Sequence, residues 1–161
     1  MSRAAVNVMF VCLGNICRSP TAHGVFQQMV VDAGLADCIS VESSGTGAWH
    51  VGEAPDQRAT RTALQRGYDL SALRARKVLA EDFDCFHYML AMDQQNLADL
   101  QQLCPVDFSG ELNLFLDYAS GPEREVPDPY YGAGDGFEYV LDLVEDASQR
   151  LLKHIQSTHQ L

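Results

Sequence analysis

The sequence is short of positive charge. Eleven Lys and Arg stand against 22 Asp and Glu, giving a net charge of −11. Nucleic acid needs a basic footprint, so the balance argues against it as a partner. An anionic substrate needs a strong local positive field to be held by such a chain. No apolar run is long enough for a bilayer span, so no membrane partner is expected. The opening Met1-Ser2-Arg3-Ala4-Ala5 leads into one short apolar stretch. It lacks the charged segment, apolar core and cleavage site of an export leader, so the expected location is the cytoplasm. Cysteine is sparse, odd in number and scattered, at Cys12, Cys17, Cys38, Cys85 and Cys104. These read as free thiols in a reducing compartment. No C-x-x-C pair is present, no Cys/His cluster has zinc spacing, and the five histidines do not pair at i, i+4. No metal is expected. Repeats, low-complexity tracts and interdomain linkers are also missing, so residues 1–161 read as one domain, a monomer or a weak homo-oligomer.

What is present is an alternation of short apolar runs with helical patterns. Val6–Val11, Ile39–Ser43 and Phe86–Ala91 read as strands, and Leu112–Leu114 as a fourth. Helices are expected over Arg18–Ala33, closed by Gly34, and over Asp56–Arg66, ended by Gly67. Two more are expected from an Asp93 cap to Leu103 and over Phe137–His154. Residues 121–136 read as a loop rich in Pro, Gly and Asp. Alternating strands and helices imply an α/β sandwich of three layers, with a parallel sheet covered on both faces. Ligands in such sheets bind beyond the carboxyl ends of the strands. The first strand ends at Val11, so chemistry is sought in the next residues.

Those residues are Cys12-Leu13-Gly14-Asn15-Ile16-Cys17-Arg18-Ser19-Pro20. A loop entering a helix brings backbone N–H groups together as an anion cradle. Gly14 permits close approach of the backbone to a ligand. Asn15 tolerates the left-handed conformation that curls a loop into a nest. Arg18 can grip two phosphate oxygens with its planar fork, supplying the local charge that the chain otherwise lacks. Pro20 suits the first helical turn. Cys12 faces that field as a sulfur nucleophile able to attack phosphorus and form a phosphocysteine. Ser19 is placed to donate a hydrogen bond to its sulfur. C-x5-R alone is a weak signal; the strand before, the helix after and the internal Gly, Asn, Ser and Pro make it specific.

The run Val11–Pro20 resembles the phosphate-binding loop of the low-molecular-weight protein tyrosine phosphatases almost letter for letter. Asp128-Pro129-Tyr130-Tyr131-Gly132 resembles their second hallmark, and length and strand order extend the likeness across the chain. The resemblance implies a four-stranded parallel sheet, no cofactor, no metal, and a tyrosine-phosphorylated protein or peptide as partner. It implies that residues 13–18 wrap the phosphate and that Asp128 protonates the leaving phenol, as expulsion of such a group requires. Pro129 restricts the backbone around that carboxyl. Tyr130 and Tyr131, with Leu13, Ile16 and Trp49, are expected to wall a slot deep enough for a phenyl ring. Trp49 also reads as a loop anchor in the core. Ser43 resembles the serine that braces the loop asparagine, here Asn15. Asp93 resembles a family aspartate near the site and serves equally well as a helix cap. Many family members carry a histidine where this chain has Leu73, which predicts a missing hydrogen bond and a looser loop. Cys17 resembles the family's resolving thiol, able to trap an oxidised Cys12 as a disulfide. Two rival reactions share the fold. Arsenate reduction needs paired shuttle cysteines, and Cys85 and Cys104 are far apart. In related phosphoarginine hydrolases a threonine stands where this chain has Ile16.

Overall fold

The computed structural model describes residues 6–130 and 135–161. Four parallel strands, β1 (Val6–Cys12), β2 (Ile39–Gly45), β3 (Tyr88–Ala91) and β4 (Glu111–Leu114), lie in the order β2-β1-β3-β4. Side chains alternate across a pleated strand, and this sheet is buried on both sides. Val6, Val8 and Phe10 face one way with Ile39, Val41, Tyr88 and Leu90. Met9 and Val11 face the other with Met89, Ala91 and Leu114. The first face is covered by α1 (Arg18–Asp32) and α5 (Asp135–His159). Phe10 meets Phe26 and Phe115 edge-on there, with ring centroids 5.7 and 4.9 Å away. Each such aromatic pair contributes roughly 1 kcal/mol beyond burial. The second face is covered by α3 (Asp82–Cys85) and α4 (Gln94–Leu103). The remaining helix, α2 (Gln57–Gln65), leans on α5 through Arg66, whose guanidinium reaches Glu138, Asp142 and Glu145.

Local chemistry explains the element ends. Gly34 and Gly67 take positive φ angles of 74° and 91° just past α1 and α2. Asp56 caps α2 by accepting from the N–H groups of Arg58 and Ala59, and Asp93 caps α4 by accepting from Asn96 N–H. The four predicted strands form in the predicted places. β2 runs on to Gly45, because its residues 44 and 45 still pair with Val11 and Cys12. β3 begins two residues later than expected, because α3 and its extended Phe86 intervene. That short helix and the 3-10 turn Phe115–Tyr118 carry too few turns to show a period in sequence.

Candidate active site

β1 lies between β2 and β3, so the loop that leaves it at Cys12 opens into the crevice beyond the strand ends. Its carbonyls are tied outward. Cys12 O accepts from Thr46 N, Leu13 O from Gly47 N, and Ile16 O from Asp56 N, at 2.9, 2.9 and 2.7 Å. A trans peptide points its N–H opposite to its C=O, so the N–H groups of Leu13, Gly14 and Cys17 turn inward. Asn15 has φ 58°, the left-handed value that the nest needs. No side chain caps the start of α1 and no acidic residue sits in its first turn. That helix N-terminus is left open to an anion.

The Cys12 sulfur is almost fully buried at the floor. Asn15 N–H points at it from 3.3 Å and Ser19 Oγ lies 3.0 Å away. Asn15 Nδ2 donates to Ser19 Oγ at 2.7 Å, so the serine keeps its own proton for Cys12 Sγ or Ser44 O. Arg18 is 3% exposed. Its Nη1 donates to Asp93 Oδ2 at 2.6 Å and to Val126 O at 3.1 Å. Burial works against its charge, yet the Cys12 sulfur, Asp93 and Asp128 together lift its pKa above the ordinary value. Arg18 Nη2 lies 3.8 Å from Asp128 Oδ2, and Asp128 Oδ1 accepts from Tyr130 N–H at 3.0 Å. A cavity of about 310 Å³ joins these groups, lined by Cys12, Arg18, Asp128, Ile16, Trp49 and Tyr130 among others. That is the size of a small ligand site. Its polar groups converge on one spot, and its apolar walls suit a ring.

The match to known proteins is as close as the geometry suggests. The sequence pattern of the family described as "Low molecular weight phosphotyrosine protein phosphatase" matches residues 7–161. The chain belongs to that family. A low molecular weight phosphotyrosine protein phosphatase of Schizosaccharomyces pombe is 45% identical, over 93% of this chain and 97% of its own. A crystal structure of a protein tyrosine phosphatase from Entamoeba histolytica superposes with a TM-score of 0.92 at 35% identity, covering 96% of this chain and 99% of that one. The structure of an arginine phosphatase from Drosophila superposes at 0.87 with 31% identity, covering 92% and 97%. The protein is thus a low molecular weight protein tyrosine phosphatase, a phosphoric monoester hydrolase.

Most of the residues singled out in sequence meet in this phosphatase's cavity. Cys12, Leu13, Gly14, Ile16, Cys17, Arg18, Trp49, Asp128 and Tyr130 all line it. Trp49 is 70% exposed and stands at the lip, which rules out the core-anchor reading. Asp93 does both jobs expected of it: one oxygen caps α4 and the other holds Arg18. Tyr131 lies outside the described residues. Ser43 turns to another partner than the expected Asn15. It lies inside β2, its side chain follows Val41 to the face where α1 packs, and its hydroxyl bonds His23 Nδ1 at 3.0 Å. Asn15 is braced instead by Ser19 and by Arg76 N–H, which donates to its Oδ1 at 3.0 Å. The carboxamide is therefore held at both ends without a histidine at position 73. Leu73 packs against the apolar cluster around α1.

Three participants carried no sequence signal. Gly45 is the first, where a Cβ would sit 2.7 Å from Leu13 O. The second is His50, which lines the cavity and packs so close that a Cβ on Gly14 would be 3.1 Å from its Cδ2. The third is Val126, whose carbonyl anchors Arg18 across 108 residues of chain. Among the described residues no helix is long and apolar enough to cross a membrane, and all five cysteines are free.

Proposed function

We propose that this phosphatase hydrolyses phosphotyrosine in proteins through a phosphocysteine formed on Cys12. The sulfur attacks phosphorus while the inward N–H groups of the loop and Arg18 hold the non-bridging oxygens. Asp128 gives its proton to the departing phenolic oxygen. Water then attacks the phosphocysteine, Asp128 takes up its proton, and sulfur leaves with the Ser19 hydroxyl donating to it. The observation that carries this reading is the joining of Cys12 Sγ, Arg18 and Asp128 around one cavity. Ile16, Trp49 and Tyr130 on its walls favour an aryl phosphate over a short phosphoserine.

Phosphoarginine is the nearest alternative, since an arginine phosphatase is among the structural relatives. Ile16 on the wall argues against it, offering no hydroxyl to a guanidinium. Arsenate reduction has less support. Cys85 lies at the opposite end of the sheet, its carbonyl accepting from the Asn7 side chain near the start of β1. Cys104 follows the ten residues of α4, about 15 Å along the helix from the site. A phosphotyrosine peptide, a phosphoserine peptide and phosphoarginine should each be assayed with the parent, Cys12→Ser and Asp128→Ala. Hydrolysis confined to phosphotyrosine, abolished by the first variant and lowered about 100-fold or more by the second, is expected. Turnover of phosphoarginine at a similar rate would overturn the substrate assignment.

Cys17 is proposed as the resolving thiol of Cys12, in a cytoplasm that keeps both reduced. Peroxide oxidises the Cys12 sulfur to a sulfenic acid, and the Cys17 sulfur displaces water to close the disulfide.

A further inference from the structure

We propose that Arg58, held by Asp56, is a positioning residue for the general acid, fixing the Tyr130 peptide that orients the Asp128 carboxylate. This rests on the assignment of Asp128 as the acid. Four contacts run in series. Asp56 N–H donates to the catalytic loop at Ile16 O, 2.7 Å away. The Asp56 carboxylate grips Arg58 side-on, with Nε on Oδ1 at 3.2 Å and Nη2 on Oδ2 at 3.0 Å. Arg58 Nη2 reaches on to Tyr130 O at 3.0 Å. Tyr130 N–H then donates to Asp128 Oδ1 at 3.0 Å. A single residue, Tyr130, thus holds the acid at its N–H and is itself held at its carbonyl.

The rings add a second constraint. Arg58 Cζ lies 5.5 Å from the centre of the Tyr130 ring and 4.9 Å from that of Phe137, which is buried in the first turn of α5. The guanidinium plane therefore registers the acid segment against two helices at once. Arg58 does not line the cavity and has no contact with the reacting atoms. Its side chain is 41% exposed, and ion pairs so exposed contribute little to stability. What it contributes is placement. A lysine keeps the charge but has no fork to span the Asp56 carboxylate and the Tyr130 carbonyl together.

The consequence is selective. A misplaced acid slows expulsion of a poor leaving group and hardly affects a good one, which departs without help. The test compares the kcat/KM of the parent, Arg58→Met, Arg58→Lys and Asp128→Ala on phenyl phosphate and on 4-nitrophenyl phosphate, since kcat also contains the hydrolysis of the phosphocysteine that both substrates share. Inhibition by inorganic phosphate reports the catalytic loop. For Arg58→Met, kcat/KM on phenyl phosphate should fall about tenfold, with less than about threefold change on 4-nitrophenyl phosphate and an unchanged phosphate Ki. Arg58→Lys should lie between this and the parent, and it carries the same test should Arg58→Met fail to fold. An equal loss on both substrates, or no loss, overturns the proposal. Asp128→Ala separates the two readings. If it discriminates between the substrates and the Arg58 variants do not, only the positioning role falls. If it does not discriminate, the acid is misassigned and both fall.

Discussion

Asp93 Oδ2 lies 2.6 Å from Arg18 Nη1, while its other oxygen, Oδ1, takes the N–H of Asn96 at 2.8 Å. One carboxylate therefore anchors the arginine proposed to grip phosphate and starts a helix. The two duties separate on substitution. Asp93→Asn keeps a capping oxygen and removes the charge, so phosphate should bind about tenfold more weakly with a small change in Tm. Asp93→Ala removes the cap as well, costing about 1 kcal/mol more and leaving a buried guanidinium without its partner. Phosphate inhibition constants and melting curves for both variants check this. Equal melting temperatures for the two would show that the cap is idle.

Gly45 sits where β2 passes under the catalytic loop. A methyl group there would lie 2.7 Å from Leu13 O and 3.1 Å from Asn15 N, both backbone atoms that cannot swing aside. Gly45→Ala should cost about 1–3 kcal/mol by overpacking. It should also push the inward N–H groups off the phosphate, with kcat/KM down about 100-fold. A variant with parent-like phosphate affinity would show that the loop shifts freely.

His23 hydrogen-bonds Ser43 between α1 and the sheet, and burial pushes its pKa down from 6.5 to about 4. The unfolded chain takes a proton near pH 6.5, and the folded chain refuses it until about pH 4. Stability is thus full above pH 6.5 and lost as pH falls from 6.5 toward 4, by at most about 3 kcal/mol. Urea unfolding at pH 7.5 and 4.5 should show a drop about 2 kcal/mol smaller in His23→Gln than in the parent. Parallel losses would place the acid sensitivity elsewhere.

Burial, with the charges of Asp56, Cys12 and Asp128 nearby, pushes the Cys17 thiol up to about 12. A resolving cysteine attacks as its thiolate, so closure of the Cys12–Cys17 disulfide should be slow at neutral pH. It should speed up about tenfold per pH unit between 7 and 9. Peroxide-treated enzyme quenched at set times with a thiol-alkylating reagent, with the Cys12–Cys17 disulfide measured by mass spectrometry, checks this. Cys17→Ser should lose reversibility; full recovery of that variant would remove Cys17 from the redox chemistry.

The catalytic loop, its strand and its helix were legible because every residue from Cys12 to Pro20 has a local reason to be there. The caps at Asp56 and Asp93 and the stops at Gly34 and Gly67 were legible for the same reason. Gly45 was not, because its need for a missing side chain arises from the pairing of Cys12 with Gly45 across two strands. Likeness alone puts the brace on Asn15 at Ser43, whereas strand alternation carries that side chain to His23. The Asn15 bond to Arg76 uses a backbone N–H, which no side-chain pattern in the sequence marks.

The anchoring of Arg18 to Val126 O has a bearing on biosynthesis. Ribosomes deliver Cys12 and Arg18 more than a hundred residues before the carbonyl that anchors the arginine. A nascent chain therefore displays the Cys12 loop before Arg18 is anchored and before Asp128 exists. The site cannot be complete before the segment from 126 to 130 has been made.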